Sequence, residues 1–245
     1  MKHRSVVLSI AALAASAVQA HAQTIQLRYA PPVGQVTHYR ITSRQWSSAD
    51  TAGAPLSQSA LYQTQTILPM DGANYVIRVA FDSTVMSGAA AGRDVFRGWS
   101  FTIHQDPNGT VLSTDVTPAP GIPGFMAGMI GKSLQSSRGP NNRKWPAGAI
   151  SPGYTWTDSL PMSYGTGRNT KQVMCHLTYR FDRVDNQGGA RVAVFPYSAA
   201  SAAGEACSGG GEIAFDLDGS RLAHSITDMT IAGQAHVKQS METLP

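Results

Sequence analysis

Two cysteines, Cys175 and Cys207, carry the most definite chemistry in this 245-residue sequence. They form no C-x-x-C motif and have no neighbouring set of metal-ligand residues, so neither a redox pair nor a metal site is indicated. They are the only two thiols of the chain, and exported proteins fold in oxidising compartments, so we expect them to pair. The sequence therefore predicts a Cys175–Cys207 disulfide and no metal ligands.

Short catalytic and cofactor-binding motifs are absent from the sequence. It contains no G-x-S-x-G, H-E-x-x-H or G-x-G-x-x-G pattern and no P-loop lysine, so common hydrolases, metalloproteases and nucleotide-binding proteins lose their sequence support. We interpret His224 and His236, in a C-terminal β region, as structural or exposed. The sequence predicts no catalytic residue and no cofactor, and it favours a non-enzyme. Glycosidase acids have no short motif, so the alternative is an extracellular hydrolase of glycans or peptides with carboxylates assembled by the fold.

The segment between the two main β regions contains the candidate ligand-binding residues. Thr117–Gly124 is rich in proline and glycine, and apolar residues then recur at near-helical spacing, which predicts one short helix from Phe125 to Leu134. Flexible methionine side chains suit a surface that receives an apolar molecule. The predicted ligand-binding residues are Phe125, Met126, Met129 and Ile130. The same residues also fit a plain hydrophobic core.

The elements that must position such a site are predicted to be β-strands. The chain has 24 Gly and 14 Pro, and three segments alternate with the period of two that is typical of strands. The first segment has Val36, His38, Arg40 and Thr42 on one face and Thr37, Tyr39 and Ile41 on the other, and neither face is cleanly apolar. In the other two segments one apolar face carries Tyr75, Ile77, Val79 and Phe81, and Val173, Cys175, Leu177, Tyr179 and Phe181. Each of these strands is expected to bury one face.

Turn sequences separate the predicted strands. Glycine and asparagine adopt the positive φ angles that tight hairpins need. Such residues occur at Asp71-Gly72, Asp106-Pro107-Asn108-Gly109, Asp185–Gly189 and Asp218-Gly219. The sequence therefore predicts consecutive antiparallel hairpins.

The first 22 residues have the order of a secretory signal peptide. A basic start (Lys2–Arg4) precedes an apolar stretch (Ser5–Val18) and the small residues around His21. The apolar stretch is shorter than the roughly 20 residues that span a bilayer, so we expect no transmembrane segment. We predict cleavage after Ala22 and an exported protein that is periplasmic or extracellular.

Charge and composition restrict the partners. Only 14% of the residues are charged, against about 25% in ordinary globular proteins. Two basic residues leave with the signal peptide, and the rest of the chain is close to neutral. Neither nucleic acid nor an anionic membrane surface is expected as a partner. An apolar small molecule or an envelope protein fits better, and the sequence does not indicate the oligomeric state.

The chain shows weak self-similarity between two halves. Similar strands and turns recur in the same order at an offset of about 110 to 120 residues, much longer than the roughly 20 to 50 residues of solenoid repeats. We predict a first β half at residues 23–116, a connector at 117–151 and a second β half at 152–245, with the halves sharing one core. The predicted fold class is mostly β, with duplicated antiparallel units forming a curved sheet, sandwich or half-barrel and one short helical connector.

Pro152-Gly153, Trp156 and Asp218-Gly219 carry a resemblance to a family of uncharacterised secreted bacterial β-rich proteins, a domain of unknown function. In that family each half begins with P-G before an aromatic strand and ends in a D-x-x-G or D-G hairpin. The resemblance implies no activity. The expected fold is also similar to half-barrel periplasmic lipoprotein carriers, which implies an apolar ligand held between sheet and helix. We therefore expect a secreted or periplasmic, non-enzymatic binding or envelope-scaffold protein.

Overall fold

The structure is a computed structural model of the chain. It describes residues 24–47, 51–87, 94, 96–107, 109–121, 128, 145–164, 171–201, 207–231 and 235–245. For residues 161–164 and 171–172 it describes the backbone.

Fourteen β-strands make up most of the described chain. In chain order they are β1 (Ile25–Gln26), β2 (Val36–Trp46), β3 (Ser57–Asp71), β4 (Asn74–Ser87), β5 (Ser100–Gln105), β6 (Val111–Thr117), β7 (Ala149–Ile150), β8 (Thr155–Tyr164), β9 (Lys171–Arg180), β10 (Arg183–Gln187), β11 (Ala190–Ala200), β12 (Cys207–Asp216), β13 (Arg221–Ile231) and β14 (Ala235–Leu244). β1 pairs with β7, and the other strands form one antiparallel sheet of 12 strands. The mostly β fold class is confirmed.

The large sheet is curved and is not closed into a barrel over the described residues. Its order is β6-β5-β4-β3-β2-β14-β13-β12-β11-β9-β8, with β10 paired to β11 beside this path. β2 lies against β14, with Ile41 opposite Met241. The first strand of the sheet and the last strand of the chain are therefore neighbours near the centre of the sheet.

Alternation places the predicted apolar residues of β2, β4 and β9 on one buried face, which we call the inner face. Tyr39, Ile77 and Tyr179 are each at most 2% exposed. Residues of these strands and of β11 to β14 belong to a single hydrophobic core. The faces predicted for β4 and β9 from the period of two are confirmed, because neighbouring residues in a strand point to opposite sides of the sheet. In β2, where the alternation left the buried side open, the inner face is the one that carries Tyr39.

Three of the four predicted turns have the expected backbone. Positive φ angles occur at Gly72, Gly109, Gly188 and Gly189. In the fourth turn the positive φ, 48°, falls on Ser220 and not on Gly219. The Asp216 carboxylate accepts the backbone N–H of Gly219 at 2.8 Å and fills the space where a Cβ of Gly219 would lie. Glycine is needed there for close approach, so the φ argument was wrong for this one position.

The predicted disulfide is confirmed. Cys175 in β9 and Cys207 at the start of β12 are bonded, with their Cα atoms 5.7 Å apart. Both are at most 1% exposed. β11 lies between β9 and β12 and ends at Ala200, so the cysteines meet just beyond the end of that strand.

The elements with assigned bounds in the described residues are all strands, and Gly128, described singly, has a helical backbone. The helix predicted from Phe125 to Leu134 falls outside the described residues, apart from Gly128. Within the described ranges, no helix has the length and apolar character needed to cross a membrane.

Candidate functional site

The inner face of β3 and β5 is polar for a buried surface. Gln63 and Gln65 of β3 are 8% and 5% exposed, and Gln105 of β5 is 1% exposed. Gln63 lies opposite Tyr39 and Gln105 lies opposite Tyr75, which places these side chains on the inner face. We call Gln63, Gln65 and Gln105 the inner glutamines. Amide side chains are seldom buried unless their hydrogen-bonding groups have partners.

Hydrogen bonding satisfies the amides of this region only in part. Gln65 Nε2 donates to the hydroxyl of Tyr29 at 3.0 Å. Gln105 Nε2 is buried and has no hydrogen-bond partner among the described residues. Gln35, just before β2, donates to the carbonyl of Gly219 at 3.1 Å, but its Oε1 has no partner there either. A buried polar group without a hydrogen-bond partner lowers the free energy of unfolding by about 1–3 kcal/mol. The fold carries this cost at Gln35 and Gln105.

Residues 24–31, which we call the strap, cover part of the inner face. Ile25, Leu27 and Tyr29 are 9%, 5% and 3% exposed and belong to the hydrophobic core, whereas the residues between them are exposed. β1 lies within the strap and pairs with β7, where Ile25 is opposite Ile150. The strap therefore has a strand-like alternation but is not part of the large sheet.

Hydrogen bonds to Ser220 and the packing of Tyr29 hold the second half of the strap. Ser220 Oγ donates to the carbonyl of Arg28 at 3.1 Å and accepts the N–H of Ala30 at 3.2 Å. The ring of Tyr29 meets that of Tyr75 edge to face, with ring centroids 5.6 Å apart. Tyr29 is therefore the strap residue that reaches the inner glutamines and their neighbours.

Aromatic side chains line the inner face of the later strands. Trp145 lies 5.9 Å from Phe195 and 5.4 Å from Phe215 between ring centroids, and Trp156 stacks on Tyr179 at 5.1 Å. A cavity of about 200 Å³ lies between the strap and this cluster. Its lining residues are Gln26, Leu27, Arg28, Pro107, Trp145, Pro146 and Ala147. Ligand sites usually measure about 300–1,000 Å³, so the cavity is small while the strap is in place.

Because of Tyr29, the stability of the fold is expected to depend on pH in the alkaline range. Burial raises the pKa of Tyr29 above its ordinary value of 10.0, and the neighbouring Tyr39 adds to the effect. The folded state keeps the neutral phenol, so its stabilisation is complete below the unfolded pKa and declines as the pH rises above that value. We expect the free energy of unfolding to fall above about pH 10, and less steeply in Tyr29→Phe. Urea unfolding at a series of alkaline pH values measures both slopes, and equal slopes would contradict the expectation.

The predicted ligand-binding residues lie outside the described part of the chain. The structure does not describe Phe125, Met126, Met129 or Ile130. Their role as a lid over the sheet therefore stays a prediction. The strap and the inner glutamines were not predicted. The alternation of Ile25, Leu27 and Tyr29 directly after the predicted cleavage site was the available signal for the strap.

Hydrolytic chemistry finds little support in the described residues. Ser159 Oγ lies 3.1 Å from His176 Nδ1, but this pair is exposed on the outer face of the sheet. Asp216, the buried carboxylate of the described residues, is 3.1 Å from Arg221 Nε and accepts turn amides. No group of three or more His, Cys, Asp or Glu side chains in the described ranges is arranged to hold a metal ion.

Two solved structures are similar to this chain at low sequence identity. One is the hypothetical lipoprotein YmcC from Escherichia coli, with 12% identity, a TM-score of 0.34 and coverage of 89% of each chain. The other is a DUF1329 family protein from Desulfovibrio piger, with 9% identity, a TM-score of 0.26 and coverage of 86% of this chain and 84% of that one. No family model and no curated protein matches the chain. Both descriptions are of bacterial proteins and state no activity. At these TM-scores the likeness carries no argument about function.

Proposed function

We propose that the protein is an exported, non-enzymatic binding protein that holds a mostly apolar molecule on the inner face of its sheet. The observation that carries this proposal is Gln105, whose side chain is 1% exposed and whose Nε2 has no partner among the described residues. Burying a hydrogen-bond donor that has no acceptor destabilises a fold. A ligand oxygen at this position would accept the hydrogen bond and remove the cost. Local departures from the rules of stable packing are expected at functional sites.

The surroundings of Gln105 define the class of ligand. Tyr75 lies opposite it in β4, and Ile103 precedes it on the same face of β5. The aromatic cluster around Trp145 extends the apolar surface beyond the strap. These neighbours favour a molecule with an apolar body and a carbonyl, ester or ether oxygen that accepts from the amide.

Export is supported by the predicted signal peptide and by the disulfide. A formed Cys175–Cys207 bond is typical of oxidising compartments outside the cytoplasm. The low fraction of charged residues also suits recognition by apolar contact more than by charge. Both the periplasm and the cell exterior meet these conditions.

The outer face offers a weaker basis for a scaffold function. Val85 on β4 and Ile226 on β13 are 62% and 50% exposed. Three strands lie between these two residues. The residues paired across those strands, from Val85 to Ile226, are Ala60, Thr42 and Ser240, which are small or polar. Isolated exposed apolar residues are normal on protein surfaces. The inner face is therefore the better candidate for binding.

The substitution Gln105→Met tests the proposal. It removes the unfilled donor at similar volume, so we expect the free energy of unfolding to rise by about 1 kcal/mol. The same change removes the hydrogen bond to a ligand, so binding should weaken by about three- to tenfold. Urea unfolding measures the first effect. Energy transfer from tryptophan to dansyl-labelled undecanoic acid measures the second.

The control is Gln58→Met, the same substitution at an exposed position of β3. It should change neither stability nor binding of the probe. If Gln105→Met raises stability and leaves the affinity unchanged, Gln105 is a structural residue and the proposal loses its main support. Mass spectrometry of organic extracts of the natively purified protein would then identify whether any apolar molecule is bound.

A further inference from the structure

We propose that the strap is an intramolecular occupant of the ligand site, which must leave the inner face before a ligand binds there. The inference rests on the proposed function of the inner face. It adds a regulatory element to that function, because the protein's own residues 24–31 would compete with the ligand.

Tyr29 makes the contacts expected of a ligand. Its ring packs edge to face on Tyr75, and its hydroxyl accepts the hydrogen bond from Gln65 Nε2. It therefore presents an apolar body with one acceptor oxygen, the chemistry inferred above from Gln105. When Tyr29 leaves, this hydrogen bond is broken, and a ligand oxygen in the same place would accept it from Gln65 Nε2. A ligand that supplies this oxygen replaces the strap contact by contact.

The size of the cavity described beside the strap also favours movement of the strap. With the strap in place, the space beside Leu27, Arg28 and Trp145 is about 200 Å³, below the roughly 300–1,000 Å³ of ligand sites. Leu27 and Tyr29 fill the adjoining part of the inner face and are 5% and 3% exposed. Their departure would enlarge this space.

The strap can detach without breaking the large sheet. β1 pairs with β7 alone, through two residue pairs, Ile25 with Ile150 and Gln26 with Ala149. Among the described residues, Ser220 makes two further hydrogen bonds to the backbone of the strap. Cleavage after Ala22, as predicted, leaves one residue before Thr24, so the strap would begin at a free chain end.

An engineered disulfide tests the inference. Gln26 and Ala149 are directly paired and both exposed, so Gln26→Cys combined with Ala149→Cys should lock the strap to β7. The apparent dissociation constant of a site rises as the binding-competent fraction falls, so the oxidised variant should bind dansyl-labelled undecanoic acid at least about tenfold more weakly than its reduced form. A mild reductant opens this exposed bond, whereas Cys175 and Cys207 are buried. Gln26→Cys alone is the control, and its affinity should not respond to reductant.

Ser220→Gly provides a second variant with the opposite effect. Glycine suits the φ of 48° at this position and removes the hydroxyl that holds Arg28 and Ala30. Probe binding should become about three- to tenfold tighter, because the open fraction rises. Equal affinity of the oxidised and reduced locked protein, with binding still sensitive to Gln105→Met, would overturn the strap inference and leave the binding function. Absence of probe binding in the wild type, in Ser220→Gly and in the reduced variant would overturn the binding function itself.

Discussion

Replacing Gly211 by alanine is expected to lower the free energy of unfolding by about 3 kcal/mol. Gly211 lies in β12, opposite Tyr197 of β11 and Thr227 of β13. A Cβ at this position would collide with the backbone carbonyl oxygen of Ile226 and lie 2.8 Å from the hydroxyl of Tyr197. Backbone cannot move aside as a flexible side chain can, so the cost lies at the upper end of the range for overpacking.

Tyr197 adds to this cost. Its hydroxyl lies 2.6 Å from Thr227 Oγ1, a hydrogen bond that spans β12 directly over Gly211. A methyl group on Gly211 displaces the hydroxyl and removes a bond worth about 1 kcal/mol. An aromatic side chain that covers a glycine in the neighbouring strand is a known way to stabilise such a position.

Gly148→Ala is the matched control for this prediction. No atom lies within 4 Å of the position its Cβ would take, and its φ is not positive. Its free energy of unfolding should stay within about 0.5 kcal/mol of the wild type. Urea unfolding followed by circular dichroism measures both variants. If the two alanine variants unfold alike, the three strands do not approach as closely at Gly211 as the structure describes.

The strands with apolar alternation were predictable from the sequence because their buried faces are apolar. In β4 and β9 a period of two marks the inner face directly, and Ile77 and Tyr179 lie where that period places them. In β2 the period predicted a strand but left open which face is buried. The hairpin glycines were predictable for a similar reason, since a positive φ is a local requirement. Both features depend on residues close together in the sequence.

β3 shows why other parts of the sheet were not predictable. Its inner face carries Gln63 and Gln65, so no apolar alternation distinguishes the buried side from the exposed side. The glycines at the start of β12 have the same effect, because residues without side chains carry no period. The pairing of β2 with β14 joins strands about 200 residues apart, and no local pattern encodes such an order.

The candidate site was hidden from the sequence for a related reason. Gln105 is an ordinary polar residue in the sequence, and its burial depends on strands and a strap that meet only in the fold. The apolar residues around Met129 gave a clear pattern but lie outside the described residues. A sequence pattern can identify an apolar surface. A buried donor without an acceptor can be identified only from the folded structure, which shows the groups around it.

Replacing both cysteines, Cys175→Ala with Cys207→Ala, is expected to lower the free energy of unfolding by about 3 to 4 kcal/mol. The two residues are 32 apart in sequence, and the bond removes the freedom of that loop in the unfolded chain. Both side chains are at most 1% exposed, so two small cavities add to the loss. The bond also joins β9 to β12 just beyond the end of β11, beside the backbone hydrogen bond from Ser201 N–H to the Cys207 carbonyl at 3.1 Å.

Reducing the wild-type protein distinguishes the contribution of the cross-link to stability from the cost of the two cavities. A strong reductant leaves all side-chain atoms in place, so its effect on urea unfolding measures the cross-link alone, whereas the double variant should not respond to it. We expect reduced wild type to be less stable than the oxidised protein and more stable than the double variant. If reduction changes nothing, the unfolded chain is already compact around these residues, and the stability of β9, β11 and β12 comes from their aromatic packing. The ordering of β12, and with it Gly211 and Tyr197, would then not depend on the disulfide.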